Sequence, residues 1–563
     1  MVCAFAPSVA QRAAPEISRE RLRADLEFLT SARLEGRASL TPGAAAAARF
    51  IAAELGKAGV RPASGDSYLQ PFDLQPVRLD RDRTLIVVRR PGEEARFSPI
   101  AVAFPDPRPS LALTLDVVFA GYGITAPEFG YDDYAGVDVR GKAVLIFDHE
   151  PREDDPAAPF HGSGFTLHAN AWTKTWTAQR HGAAALLVVT EPVNSHRTAP
   201  RPPGRANAAP QALVQGELRI PRITIPLEAA AVLLKGTGRT PADLQRGIDG
   251  SMQPASRPLK DIDVRVEAVN AGGTVQPSWN VAGLLPGSDP RLRDETILVT
   301  SHYDHLGVQN GLLYPGANDN GSGTVAMLEV ARLLAGTGPA RSVLFVSFGS
   351  EEQLMLGSYH YVAKPLRPLS TTRAVINLDM IGRREEHTQE SAGAYEITAG
   401  RSDQLNMVGA VYSPDLASVL QREAAGAAGL SLSDKFDRDS SMRALFRCDH
   451  LPFLQKGIPA IWLFGGFHPG YHEPVDTVDH IDFDKMARTV RLTVDAVRAL
   501  ASTAAPPRFR YPDPDAREEL DEPPGVYLQG DRRPSARAGR HPCQIRRPRT
   551  SSSSKPRSRS SCT

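Results

Sequence analysis

From about Asp261 onward the chain alternates strand-like and helix-like stretches, and this predicts an α/β fold with a mostly parallel central sheet flanked by helices. Two further observations support it. Short, largely apolar runs at 296–300, 342–348, 374–378 and 460–464 read as buried strands. Between 113 and 255 a separate cluster of short strands and helices predicts a smaller inserted α+β, β-rich unit.

In chain order, residues 1–16 read as a signal remnant or disordered start. The small residues of 1–11 (MVCAFAPSVAQ) resemble a signal-peptidase site, so we expect a longer signal peptide and a periplasmic or secreted location, with a short disordered cytoplasmic start as the alternative. Residues 17–112 form the N-terminal part of the main domain. The stretch 17–73 reads mainly as helices, with apolar spacing at 21–29 and again at 44–55 after Pro42-Gly43; strands follow near 84–88 and 100–103. In the inserted unit, 117–123, 143–147, 186–189 and 223–226 read as strands, and 172–181 and the stretch from Leu227 as helices. A Pro- and Ala-rich loop at 193–210 projects from it. The main domain resumes over 256–504 with helices at 323–334, 415–427 and 484–502. The Pro-, Arg- and Ser-rich remainder, 505–563, reads as a disordered tail.

Composition narrows the function classes. Among 563 residues, 41% are hydrophobic and the formal net charge is +1, without the basic excess of a nucleic-acid binder. No apolar run is long enough for a membrane-spanning helix. Of the four cysteines only Cys448 lies in a core-like context, so neither a disulfide framework nor a cysteine metal site follows.

Chemistry concentrates where strands end. His302 and Asp304 follow one strand, Glu351 and Glu352 another, Asp379 a third; Asp319 lies in a polar turn opening a helix, and His472 begins HEPVDT. Ligands of an open α/β sheet belong at the carboxyl ends of its strands, and a mixed His/Asp/Glu set suits two hydrolytic metal ions, zinc above all. Asp319 is placed to bridge two cations, with helix capping as its other role. His302 and Asp304, two apart on extended chain, face one side, so the carboxylate can orient the ring; His305 is expected to point away. In the Glu351-Glu352 doublet one carboxylate ligates a metal and the other is a general base, in an order the residues alone leave open. Asp476 orients either a ring nitrogen or its own loop. His450 and His468 are structural competitors.

The motifs SHYDHLGV, GANDNGSGT, FGSEEQLMLGS, NLDMIGR, CDHLPFLQKGIPAI and HPGYHEPVDTVD, in this order, resemble the zinc-dependent aminopeptidase family of bacterial leucyl aminopeptidases. Its superfamily includes glutamate carboxypeptidases, glutaminyl cyclases and the transferrin receptor. The resemblance implies a zinc-exopeptidase fold and two zinc ions, one held by His302 and Asp379, the other by Glu352 and His472, with Asp319 between them. It makes Glu351 the general base and Asp304 the carboxylate behind the first histidine. The implied reaction is hydrolysis of the N-terminal peptide bond of peptides by a hydroxide shared between the metals. Carboxypeptidase-type and glutaminyl cyclase-like activities are the alternatives, and a receptor-like binding module the non-enzymatic one. Residues 113–255 resemble the protease-associated domain inserted in such enzymes, by FAGYGI, DYAGVDVRGKAVLI, HGAAALLVV and IPRITIP. Cys448 replaces the family's serine, and Leu445 and Phe446 stand where some members place an oxyanion-stabilising tyrosine.

Overall fold

The computed structural model of the protein describes residues 16–511, apart from 106–108, 156, 163, 195–206, 390, 392, 393 and 395. The expected signal remnant, most of the 193–210 loop and the tail from 512 lie outside the described residues.

The apolar runs become the middle of a ten-stranded sheet. Ser342–Phe348, Thr296–His302, Thr372–Leu378 and Ala460–Phe464 lie side by side in that order, each parallel to the next. Side chains alternate between faces with the period of two that a strand imposes. Ile297, Val299, Val343, Phe345, Ile376 and Leu463 enter one core with the helices Arg19–Leu29, Pro42–Lys57, Gly323–Leu334 and Phe483–Ser502. Leu298, Leu344, Val346, Val375, Trp462 and Phe464 enter the opposite core. Both faces are covered, which is why these strands are mostly apolar on both sides.

Local chemistry sets the helix starts. Ser18 accepts from the Arg21 N–H, Asp482 from that of Lys485, and Thr41 from that of Ala44 with Pro42 in the first turn. No helix among the described residues is long and apolar enough to cross a membrane.

Three expectations need correction. Leu69–Pro76, in the segment read mainly as helical, is a strand antiparallel to Gln276–Leu285. The second, eight-stranded sheet reaches beyond 113–255, because Leu85–Arg90, Glu93–Phe97, Ala101–Ala103 and Arg257–Val269 all pair within it. The start of the expected tail is ordered as well: the Phe509 ring stacks 5.5 Å from Tyr412, whose carbonyl accepts from the Arg510 N–H at 2.9 Å.

Two histidines are sealed in this architecture. His450 is wholly buried beside Trp462, and burial lowers its pKa to about 3; His360, stacked on Phe72, is lowered by burial to about 4. Folded values below the unfolded value of about 6.5 mean that the unfolded chain binds more protons between the two. Their contribution to stability is therefore complete above pH 6.5 and is lost as pH falls toward 3–4. Asp133 and Asp437, raised to about 7 by burial, act in the opposite sense, so a variant isolates the histidine. His450→Leu is expected to flatten the acid limb between pH 6.5 and 4.5 by up to about 1.4 kcal/mol per pH unit. Urea midpoints of both proteins across that range measure it, and parallel curves would refute the assignment.

Candidate active site

The four parallel strands deliver their carboxyl ends to one edge of the sheet. His302 is the last residue of its strand, Asp379 follows Leu378, the Glu351-Glu352 doublet follows Phe348, and the segment after Phe464 leads to His472. The turn Ala317–Ser322 brings in Asp319.

Asp319 is the shared element. Its Oδ1 lies 3.5 Å from His302 Nε2, which is also 3.5 Å from Asp379 Oδ1. Its Oδ2 lies 3.1 Å from His472 Nε2, which is 3.2 Å from Glu352 Oε2. The seven predicted residues thus converge on one buried space, with Glu351 Oε2 3.8 Å from His302 Nε2. His302 Nε2 and Asp379 Oδ1 are buried without a hydrogen-bond partner. Buried polar atoms are ordinarily paired, and a nitrogen and an oxygen left facing each other in this way fit a cation between them. The groups His302/Asp319/Asp379 and His305/Asp319/Glu352 each bring donor atoms within metal-binding reach of one another.

Around these residues a set of hydrogen bonds fixes orientation. Asp304 accepts from the Glu351 N–H at 2.9 Å and the Glu352 N–H at 3.3 Å, so its carboxylate holds the doublet's backbone. The His302 ring meets the Asp304 main-chain carbonyl, with Nδ1 at 3.2 Å, more closely than the carboxylate at 3.8 Å. Asp304 therefore orients more than the ring expected from its spacing. Asp476 accepts from the N–H groups of Asn318 and Asp319, which assigns it to the ligand turn and not to a ring nitrogen. His468 lies 2.9 Å from the Asn318 amide and ties this turn to the His472 segment. The Cys448 thiol donates to Asp379 Oδ2 at 2.9 Å, leaving Oδ1 turned toward His302.

His305 does not point away. Its Nδ1 is 2.7 Å from Glu352 Oε1 and 3.9 Å from Asp319 Oδ2. The alternation assumed for it ends with the strand at His302, beyond which the backbone turns. Asp449 is the other residue that motif reading passed over. It is fully buried, accepts a hydrogen bond from Ser358, and is raised by burial to about 8. A carboxylate between Cys448 and His450, leading into the apolar stretch 451–454, was the available signal.

Electrostatics separate the doublet. Burial pushes the Glu351 carboxyl well up; His302 opposes this, and Asp449, Glu352 and Asp379 add to it. Burial acts the same way on Glu352, but His472 and His305 outweigh it and hold that carboxyl well below its usual range. Burial would lower His472, yet Glu352 and Asp319 raise it to about 10. Without a cation the site retains protons, and metal binding to such a set releases them.

Residues 280–497 match the family model for Peptidase family M28. Aminopeptidase YwaD of Bacillus subtilis (strain 168) is 32% identical over 231 residues, covering 40% of this chain and 45% of that protein. The probable lipoprotein aminopeptidase LpqL of Mycobacterium tuberculosis (strain ATCC 25618 / H37Rv) is 30% identical over 191 residues, 30% of this chain and 36% of that protein. The solved aminopeptidase from Aneurinibacillus sp. strain AM-1 is 20% identical with a TM-score of 0.46, covering 88% of this chain and 95% of its own. The chain spans about half the length of the curated relatives it matches. All seven predicted site residues fall within the segment 280–497 that matches this family model.

Proposed function

We propose that the chain is a di-zinc aminopeptidase that hydrolyses the N-terminal peptide bond of peptides. The observation that carries this is Asp319, whose two oxygens face separate imidazole–carboxylate pairs: His302 with Asp379, and His472 with Glu352. His302, Asp379 and Asp319 Oδ1 would hold one zinc ion; His472, Glu352 and Asp319 Oδ2 would hold the other. His305 donates to the remaining Glu352 oxygen and keeps Oε2 turned inward. When bound, zinc supplies Lewis acidity and lowers the pKa of water toward neutrality.

The rest is the work of side chains. Glu351 has no imidazole as close as the His305 ring is to Glu352, and burial, with the charges of Asp449, Glu352 and Asp379 added against His302, raises its proton affinity. It takes a proton from the attacking water and returns it to the leaving amine, a role that needs a carboxyl poised nearer neutral pH. Asp304 fixes the doublet through both backbone N–H groups, so base and ligand keep their separation. A free α-amine suits a site dense in carboxylates. The names of the aminopeptidase relatives support this substrate class, and the lipoprotein relative supports a periplasmic or secreted location.

Glu351→Ala is expected to lower kcat by at least about 100-fold, the scale for a positioned acid–base, with zinc still bound. Near-wild-type turnover in a metal-loaded variant would falsify the base assignment. Substrate direction has its own test in paired peptides that differ only in a free or acetylated N-terminus. Cleavage confined to the free-amine peptide is the expected result, and cleavage of the blocked peptide alone would transfer the site to carboxypeptidase chemistry.

A further inference from the structure

Arg37, contributed by the N-terminal segment well before the matched domain, is among the largest fully buried side chains and is 0% exposed. No carboxylate lies within ion-pair distance of it among the described residues. Its guanidinium instead donates to four main-chain carbonyls: Nε to Tyr303 at 2.8 Å, Nη1 to Leu29 at 2.6 Å and to Pro315 at 2.7 Å, and Nη2 to Gly316 at 2.9 Å. Its own carbonyl accepts from the His305 N–H at 3.2 Å.

Three of these acceptors and that donor belong to two loops, 303–305 and 315–316. The first carries Asp304 directly after His302; the second leads into Asp319. Gly316 also packs on the His305 ring, where a Cβ would lie 2.5 Å from the ring carbons. The backbone that presents Arg37 is itself constrained: Glu35, Gly36 and Arg37 have φ of 47°, 68° and 54°. Left-handed conformations at non-glycine residues persist where the surroundings demand them. A Cβ on Gly36 would come within 2.5 Å of the Tyr314 carbonyl oxygen, so the turn sits tight against the second loop.

The charge has a purpose beside the geometry. Burial lowers Arg37 to about 10, with Asp304, Asp319, Asp476 and Glu352 pulling the other way, so it remains cationic at neutral pH. A buried guanidinium without a direct ion pair is costly, and here it faces the concentrated negative charge of the site.

We propose that Arg37 is the positioning residue of the metal centre: its fork locks the His302–Asp304 and Asp319 loops in one frame, and its charge offsets their carboxylates before a cation binds. This rests on the zinc reading above. Lysine would preserve the charge but concentrates its donors on one atom and cannot span four carbonyls. Arg37→Lys and Arg37→Gln therefore separate the two contributions.

The test is zinc affinity by chelator competition on wild type and both variants, with circular dichroism and melting of the metal-free proteins alongside. Folded variants should bind zinc about 10- to 100-fold more weakly, the usual scale for residues that orient ligands, with Gln affected more than Lys. At saturating zinc the turnover of Arg37→Lys should recover while KM stays near wild type, a pattern that general destabilisation would not produce. Wild type that binds no zinc would sink the metal reading itself. Wild type that binds zinc while the variants bind within about twofold would overturn the role of Arg37 alone. Failure of both variants to fold would also overturn it, by assigning Arg37 to the fold.

Discussion

The structure is governed by the repulsion among carboxylates gathered at one edge of the sheet. Asp304, Asp319, Asp379, Asp449 and Asp476 are buried, and Glu351 and Glu352 are half-buried beside them. At about 4 Å, with an effective dielectric near 20, two like charges repel by roughly 4 kcal/mol. The protein answers with several kinds of positive group. Backbone N–H groups serve Asp304 and Asp476, imidazoles serve Asp319, Glu352 and Asp379, and the charge of Arg37 acts on Asp304, Asp319, Asp476 and Glu352. Protons take up the remainder, and they are what a metal ion would displace.

The same constraint makes adjacent glutamates different. Glu352 lies between two imidazoles and stays ionised, whereas Glu351 has one imidazole at 3.8 Å and Asp449 near it. Identical side chains at neighbouring positions thus acquire opposite proton affinities from their surroundings alone.

This difference explains what could be read from residues and what could not. Ser342–Phe348, Ala460–Phe464 and Gly323–Leu334 agree with their expected limits, because burial on both faces or along a helix leaves a dense apolar signature. Leu69–Pro76 carries two prolines and pairs on the outer side of Gln276–Leu285, and Arg257–Val269 is charged along much of its length, so neither announces itself as a strand. In the site, strand-end residues such as His302 and Asp379 were legible through their position after apolar runs. His305 was not, since it lies past the point where strand periodicity applies. Arg37 was invisible because its partners are carbonyls, which no side-chain motif records.

The second sheet bears on the same electrostatic problem through contacts distant from it in sequence. Phe165 stacks on Phe446 at 5.6 Å, just before the Cys448–Asp449 pair, and His161 lies 3.0 Å from the Asp437 carbonyl. Trp172 stacks on Tyr359 at 5.3 Å, next to the Ser358 that donates to Asp449, and the Gln455 amide bonds Asn170 and Thr173. These contacts brace the segments on both sides of Asp449. Asp449 is in turn one of the charges that raise Glu351. A packed interior passes on small displacements and does not absorb them, so the contacts of Phe165 and Trp172 hold in place the segments that carry Asp449 and its partner Ser358.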